Sequence, residues 1–170
     1  MSRPINQAGI DLVKSFEGFH ASAYQCPAGV WTIGYGHTRG VKEGDVISPQ
    51  EADLLLEEDL AHAGRSVQRL ITVPLTDNQF AALVGFTFNL GEGNLKDSTL
   101  RAKLNAGDHD AVPSEMARWV KATDPKTGKK VTLRGLVRRR AAEGILWLTK
   151  DNPDAFESTA AMPQHVESVD

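Results

Sequence analysis

Residues 21–47 constrain the fold of this chain more than any other segment, because they place five glycines among short aromatic and β-branched runs. Within residues 30–37, large and small side chains alternate with the period of two that is typical of a β-strand. The large residues are Trp31, Ile33, Tyr35 and His37, and the small ones are Thr32, Gly34 and Gly36. The pattern predicts a small antiparallel sheet whose large side chains are buried and whose small face lines a cleft.

Helical patterns lie on both sides of this predicted sheet. Residues 5–17 have the apolar spacing of a short amphipathic helix, with Glu17 at the end of its apolar face. Capping boxes at Ser48 and Thr76 predict one helix that runs to about residue 70 and another that ends near Gly91. The remaining expectations are helices at about 98–106, 109–120 and 134–149, a loop or hairpin at 121–133, and a loose polar tail at 152–170.

A chain of 170 residues, 41% of them hydrophobic, can build one core of its own. We therefore expect a single domain over residues 1–151, of the α+β class and mainly helical. Its N-terminal lobe, about 1–70, holds the small antiparallel sheet, and its C-terminal lobe, about 71–151, is helical. The formal net charge of −3 gives no general basic field, which argues against nucleic acid as a partner.

The remaining composition limits the setting in which the chain works. Cys26 is the single cysteine, so no internal disulfide is expected. No apolar run approaches the roughly 20 residues that cross a bilayer, and charges interrupt the first helix, so we expect neither stable membrane insertion nor a signal peptide. The five histidines lack the spacing of metal ligands, so no metal is expected, and a monomer is the default assumption.

Three residues near the predicted sheet suggest cleavage of a glycosidic bond. Glu17 ends the first helix, Cys26 lies in the sheet region, and Thr32 lies on the small face of the strand. Such chemistry needs an acid that is protonated when substrate is bound, and desolvation favours the neutral form of a carboxylic acid. It also needs a second group that handles water across the sugar ring, and a threonine hydroxyl can orient that water.

The pattern Glu-x8-Cys-x5-Thr resembles the catalytic triad of the phage lysozyme family, glycoside hydrolase family 24, whose members carry Asp or Cys at the middle position. The resemblance covers about residues 5–150. It continues through the segments 31–38, 80–91, 98–100 and 135–143. The triad spacing alone would be a weak match, and it is the ordered placement of these segments that makes the resemblance specific.

The resemblance implies a two-lobed lysozyme-like fold and a role for each matching residue. Glu17 is then the general acid, Cys26 takes the place of the second catalytic group, and Thr32 positions water. The implied substrate is bacterial peptidoglycan, cut at the β-1,4 bond from N-acetylmuramic acid to N-acetylglucosamine, and no cofactor is implied. The implied task is lysis of a phage host after release from the cytoplasm through a pore made by a separate protein. The residues expected to bind the sugar chain are Asn89, Gly91, Ser98 and Thr99.

Several assignments remain open at this point. A thiol has an ordinary pKa of about 8.5, so Cys26 is a base, a nucleophile or an orienter of water, and the sequence does not decide. His37 is expected to pair with an acid on the following helix, and Asp59 is the candidate. By family resemblance, Arg138 or Arg139 is expected to turn inward and hold Glu17. Asn89 has an alternative interpretation as the C-terminal cap of its helix.

Three other functions compete with hydrolysis. A lytic transglycosylase needs the acid but no activated water, because the sugar's own 6-hydroxyl closes the ring. A non-catalytic wall-binding module would keep the cleft and lose the acid. Membrane disruption by the helix at 134–149 is disfavoured by its mixed composition.

Overall fold

The computed structural model describes residues 2–151, which form a mainly helical α+β fold with two small antiparallel sheets. The first elements are α1 (Gln7–Glu17), β1 (His20–Gln25), β2 (Trp31–Gly34) and α2 (Pro49–Leu70). They are followed by α3 (Asp77–Leu90), α4 (Glu92–Asp97), α5 (Thr99–Asn105) and α6 (Val112–Met116). The hairpin β3 (Lys121–Thr123) and β4 (Lys130–Thr132) then leads to α7 (Arg134–Leu148). The predicted tail at 152–170 lies outside the described residues.

The two capping boxes begin helices where the sequence predicts them. Ser48 accepts a hydrogen bond from the backbone of Glu51, whose side chain accepts one from the backbone of Ser48. Thr76 and Gln79 make the same reciprocal pair at the start of α3. Both helices also end at the predicted positions. These boxes act over three residues, so the local sequence contains all the information needed.

Two predictions about the C-terminal helices were wrong. In place of the helix expected over 109–120, the structure has only the five-residue α6, which lacks a side-chain cap and has a proline in its first turn. The short helix α4 was not expected at all, because it follows directly after Gly91 ends α3 and has no side-chain cap of its own. Tertiary contacts stabilise such short helices, and their local sequences carry little signal.

The expected alternation of buried and exposed residues in β2 was also wrong. Trp31 and Tyr35 are only half-buried, whereas Thr32 and Gly34 are buried. The strand ends at Gly34, whose φ of +63° turns the chain. A Cβ atom on this glycine would lie 3.1 Å from Ile47 Cδ1 and 3.3 Å from Ala52 Cβ. At Gly34 the small face is therefore covered by α2 and the segment before it, and of the three small residues only Gly36, in the turn beyond the strand, lines a cleft.

The core is built around α3, which packs against α1, α2 and α7. Its side chains are buried on nearly every face, including Phe80, Leu83, Val84 and Phe86. Burying each large apolar side chain contributes about 1.5–3 kcal/mol, so this helix is a main source of stability. The 22-residue α2, about 33 Å long, contacts both β2 and α3 and so connects the sheet to this core.

Truncating Leu83 should show how strongly the fold depends on α3. Leu83→Ala removes a fully buried side chain, and we expect the free energy of unfolding to fall by about 2–5 kcal/mol. The matched control is Leu54→Ala on α2, where the leucine is 62% exposed and the expected change is within about 0.5 kcal/mol. Chemical denaturation of both variants measures the difference. Equal losses would contradict the central position of α3.

Candidate active site

A cleft of about 410 Å³ opens where the end of α1, the turn after β2, the middle of α2 and the end of α3 meet. The residues that line it are mostly polar. They are Glu17, Gly36, Thr38, Arg39, Asp59, His62, Ala63, Ser66, Thr87, Phe88, Asn89, Gly91 and Glu92. An open cleft of this size with convergent polar groups suits a carbohydrate better than an apolar ligand.

Glu17 is the last residue of α1, and the helix ends because Gly18 has a φ of +69° and donates its N–H to Lys14 O at 3.0 Å. The Glu17 side chain is 22% exposed, so it reaches the cleft while most of it is covered. Gly36 lies against it with a φ of +87°, and a Cβ atom there would lie 3.1 Å from Glu17 Oε2. A side chain at this position would therefore crowd the carboxylate and force it to shift.

Arg139, and not Arg138, holds Glu17. Arg139 Nη1 donates to Glu17 Oε1 at 2.6 Å, and the arginine side chain is 6% exposed. Arg138, one position earlier on α7, is exposed. Successive helical residues point about 100° apart, so only one of the two can face α1.

Cys26 and Thr32 lie together at the end of the β1–β2 hairpin. The Cys26 N–H donates to Val30 O at 3.0 Å, and Thr32 Oγ1 donates to the same carbonyl at 3.0 Å. Hydrogen bonds from the backbone of Val30 and then of Ala28 lower the pKa of the Cys26 thiol, and the Thr32 side chain adds to this. The thiol is half-exposed and Thr32 is buried, and neither lines the cleft beside Glu17.

Tyr24 was not singled out from the sequence, yet it lies within electrostatic reach of both Glu17 and Cys26. Burial raises the pKa of the Tyr24 phenol, and the negative charges of Glu17 and Cys26 raise it further. Tyr24 is paired with Thr32 in the hairpin register. Its place on β1, two residues before Cys26, is the only signal in the sequence that could have suggested it.

The expected contact between His37 and Asp59 is present. His37 Nδ1 lies 2.8 Å from Asp59 Oδ2, and His37 Nε2 lies 3.0 Å from Arg39 O. His37 also pairs with Ile33 in an antiparallel bridge. The histidine therefore fastens the turn after β2 to the middle of α2, and this turn carries Gly36 against Glu17.

The four residues expected to bind the sugar chain separate into two pairs. Asn89 and Gly91 line the cleft, and Asn89 Oδ1 accepts a hydrogen bond from Arg140 Nη2. The C-terminal cap of α3 is Gly91, whose N–H donates to Thr87 O at 2.7 Å, so Asn89 is not the cap.

Ser98 and Thr99 line a separate hollow of about 320 Å³ that also includes Trp119 and Lys130. Ser98 accepts from Arg101 N at 3.0 Å and donates to Leu95 O at 2.7 Å, and so caps α5. The structure thus does not bring this pair to the cleft beside Glu17.

A buried ionic cluster lies behind the cleft on α7. Glu143 is fully buried, with Arg139 Nε 3.3 Å from its Oε1 and Arg140 Nη1 3.0 Å from its Oε2. The second contact is an ion pair whose angles do not form a hydrogen bond. Burial raises the pKa of Glu143 to about 7, against the opposing effect of the two arginines. The i, i+3 and i+4 spacing of these charges was the sequence signal for this cluster.

Two further observations bear on partners and cofactors. Within residues 2–151, no three side chains of His, Cys, Asp or Glu come together as metal ligands would. Over the same residues, no helix combines the length and apolar character needed to cross a membrane.

The mainly helical fold with a small sheet, and a polar cleft with a largely covered carboxyl group at its wall, are features of hydrolases of the lysozyme type. The chain belongs to the phage lysozyme family, whose model matches residues 14–143. This assignment agrees with the resemblance seen in the sequence.

Individual relatives give the same result. An endolysin from Acyrthosiphon pisum secondary endosymbiont phage 1 is 43% identical over 143 residues, which cover 84% of this chain and 97% of that protein. An endolysin from Bacillus phage B103 is 41% identical over 92% of this chain, which spans 58% of that longer protein. The muramidase domain of SpmX from Asticaccaulis excentricus superposes with a TM-score of 0.81 at 41% identity, covering 86% of this chain and 98% of that one.

A methyl group at Gly36 should disturb Glu17 directly. Gly36→Ala adds strain at positive φ, about 1–2 kcal/mol, and also places Cβ against the carboxylate, so we expect kcat to fall by about tenfold or more. Gly44→Ala is the matched control, since Gly44 has a φ of +85° and open space around its Cβ position. It should lose similar stability and keep its kcat. Turnover of peptidoglycan and thermal unfolding of both variants test this, and equal kcat values would contradict the close approach.

Proposed function

We propose that Glu17 is the general acid with which this lysozyme cleaves the β-1,4 bond between N-acetylmuramic acid and N-acetylglucosamine in bacterial peptidoglycan. The observation that carries the proposal is the position of Glu17, at the wall of the cleft between Gly36 and Arg139. A sugar chain in the cleft displaces water from the carboxyl group, and this desolvation favours the protonated form that can donate to the leaving oxygen.

Arg139 has a matching part in this step. Once Glu17 has donated its proton, it becomes a carboxylate in a site from which water is largely excluded. The guanidinium of Arg139, 2.6 Å away and itself buried, stabilises this charge without having to move. Arg139 therefore stabilises the Glu17 carboxylate that forms after proton transfer. Before proton transfer, desolvation by the bound substrate favours the protonated form of Glu17.

Cys26 and Thr32 are proposed to handle the acceptor side of the reaction. The hydrogen bonds that lower the pKa of the Cys26 thiol make the thiolate more accessible near neutral pH. A thiolate can remove a proton from the attacking water, or attack the sugar carbon itself. The Thr32 hydroxyl has one hydrogen, which it donates either to Val30 O or to Cys26; in the second arrangement it stabilises the thiolate, and in both its oxygen can accept from water and orient it.

Asn89 and Gly91 are proposed to bind the sugar chain at the α3 side of the cleft, where both residues line it. Ser98 and Thr99 are proposed to contact more distant parts of the polymer, since their hollow is separate. The division into lobes of about 1–70 and 71–151 remains a prediction. We also propose that the protein acts as a monomer during lysis of a phage host, after release from the cytoplasm through a pore made by another protein.

Glu17→Gln should abolish cleavage while the cleft remains. The amide keeps the size of the side chain but cannot supply a proton of comparable acidity, so we expect kcat to fall by at least about 10³-fold, with binding of glycan fragments retained. Turnover of purified peptidoglycan and binding of chitooligosaccharides measure the two properties. Substantial cleavage by this variant would show that Glu17 is not the general acid. If the native protein binds glycan fragments but does not cleave peptidoglycan, a wall-binding module is favoured instead.

Substitution of Cys26 distinguishes its possible roles. Cys26→Asp keeps an ionisable group and is expected to retain most activity, whereas Cys26→Ala is expected to lose at least about 10²-fold in kcat. Cys26→Ser is the matched control for size and hydrogen bonding. Full activity in Cys26→Ala would show that the thiol is not needed for turnover.

Mass spectrometry of the products identifies the acceptor independently of any variant. Fragments that end in reducing N-acetylmuramic acid are expected, because water is the acceptor in hydrolysis. Fragments that end in 1,6-anhydro-N-acetylmuramic acid would mean that the sugar's own hydroxyl is the acceptor. In that case Glu17 keeps its role, but the water-handling roles of Cys26 and Thr32 are wrong.

A further inference from the structure

Glu143 is a buried carboxylate that the reaction described above does not use. It lies on α7 with no exposed surface and does not line the cleft. Two guanidinium groups flank it from the preceding helical turn, Arg139 at 3.3 Å and Arg140 at 3.0 Å. Burying a charged group costs free energy unless partners compensate for the lost water, so the partners of Glu143 indicate what it does.

Both of these arginines also reach the cleft through a different nitrogen. Arg139 uses Nη1 to contact Glu17 Oε1 at 2.6 Å, while its Nε faces Glu143. Arg140 uses Nη2 to contact Asn89 Oδ1, while its Nη1 faces Glu143. One buried carboxylate therefore lies behind both cationic groups that touch the proposed acid and the proposed sugar-binding amide.

We propose that Glu143 is a positioning residue for Glu17: its carboxylate holds Arg139 in place and takes up part of the guanidinium charge, so that Glu17 can keep a proton while in contact with Arg139. The inference rests on the proposed acid role of Glu17. Glu143 touches neither substrate nor reacting atoms and acts only through the two arginines.

The charge balance of the cluster explains why this matters. If Glu143 were neutral, the two adjacent buried guanidinium groups would have one carboxylate between them among the described residues, namely Glu17 in its contact with Arg139. Glu17 would then be held as a carboxylate, which cannot act as an acid. An ionised Glu143 balances one of the two positive charges and permits a proton on Glu17. Burial raises the pKa of Glu143 to about 7, and the Glu143 and Glu17 carboxyl groups contact the same guanidinium, that of Arg139.

The other charged groups on the elements packed against α7 have partners of their own. On α3, Asp77 is paired with Arg3, and on α6, Glu115 is paired with Lys103 and Arg118. On α1, Lys14 is paired with Asp53 and Asp11 accepts from Gln7. The Tyr24 phenol is within electrostatic reach of Glu17, and the charged or titratable residues that line the same cleft are Arg39, Asp59, His62 and Glu92. The coupling between Glu17 and Glu143 thus passes through Arg139.

A titration of the native protein tests the coupling directly. With ¹³C-labelled glutamate, the side-chain carboxyl resonances of Glu17 and Glu143 can be followed by NMR against pH. We expect each resonance to show two steps, at midpoints that both residues share. Single, independent steps for the two residues would overturn the inference. This measurement needs no variant to fold and no activity.

The kinetic test uses Glu143→Gln, which keeps the size of the side chain and removes its charge. We expect the alkaline limb of the kcat profile to move to lower pH by about one unit, because Arg139 then favours the Glu17 carboxylate. At the pH of the original limb, kcat should fall by about tenfold, with KM within about twofold of the native value. A variant with lower kcat and an unmoved limb would mean that Glu143 only supports the structure, and would overturn the proposal.

Glu115→Gln is the matched control, since Glu115 is also a buried carboxylate flanked by two cations. It should leave the alkaline limb where it is. Glu17→Gln separates this inference from the proposed function. If that variant still cleaves peptidoglycan, the acid role fails whatever the titration shows. If it is inactive and the native titrations are uncoupled, only the inference about Glu143 fails.

Discussion

The cleft depends on the buried polar contacts of α7: the ion pair of Arg139 with Glu17 on α1 and the hydrogen bond of Arg140 to Asn89 on α3. Arg139 and Arg140 share Glu143 as a partner, and each then reaches a second residue, Glu17 on α1 or Asn89 on α3. Removing charges from water is costly, and the cost is offset only when the groups meet with good geometry. These contacts hold α7 against α1 and α3. The same contacts shape the cleft, because Glu17 and Asn89, which the two arginines contact, both line its walls.

The opposite side of the cleft is fixed by different means. There the backbone turn after β2 brings Gly36 against Glu17, and His37 in the same turn is fastened to Asp59 of α2. Glu17 is thus held between this turn, which limits its space, and the buried guanidinium of Arg139, which sets its charge environment. Cys26 and Thr32 occupy the far end of the hairpin, where backbone hydrogen bonds lower the pKa of the thiol. A functional site assembled in this way needs few residues from any one element.

The parts of the fold that the sequence predicted well are those with local causes. The starts of α2 and α3 follow from hydrogen bonds that span three residues, and Gly18 and Gly91 end their helices through positive φ. The alternation over residues 30–37 gave a wrong prediction of burial. That prediction assumed a strand that continues past Gly34 and has one covered face. In the structure both faces are partly covered and the strand stops. Short helices such as α4 and α6 were missed or misjudged, since contacts with distant residues stabilise them.

By itself, the sequence determined the helix boundaries that capping sets, the placement of Glu17 at a helix end, and membership of the phage lysozyme family through the order of its motifs. The tertiary structure alone decided that Arg139 rather than Arg138 meets Glu17, that Asn89 and Gly91 line the cleft while Ser98 and Thr99 do not, and that Glu143 lies behind both arginines. The physical reason is separation along the chain. Glu17 and Arg139 are 122 positions apart, and only the packing of α7 against α1 and α3 determines which guanidinium faces the acid.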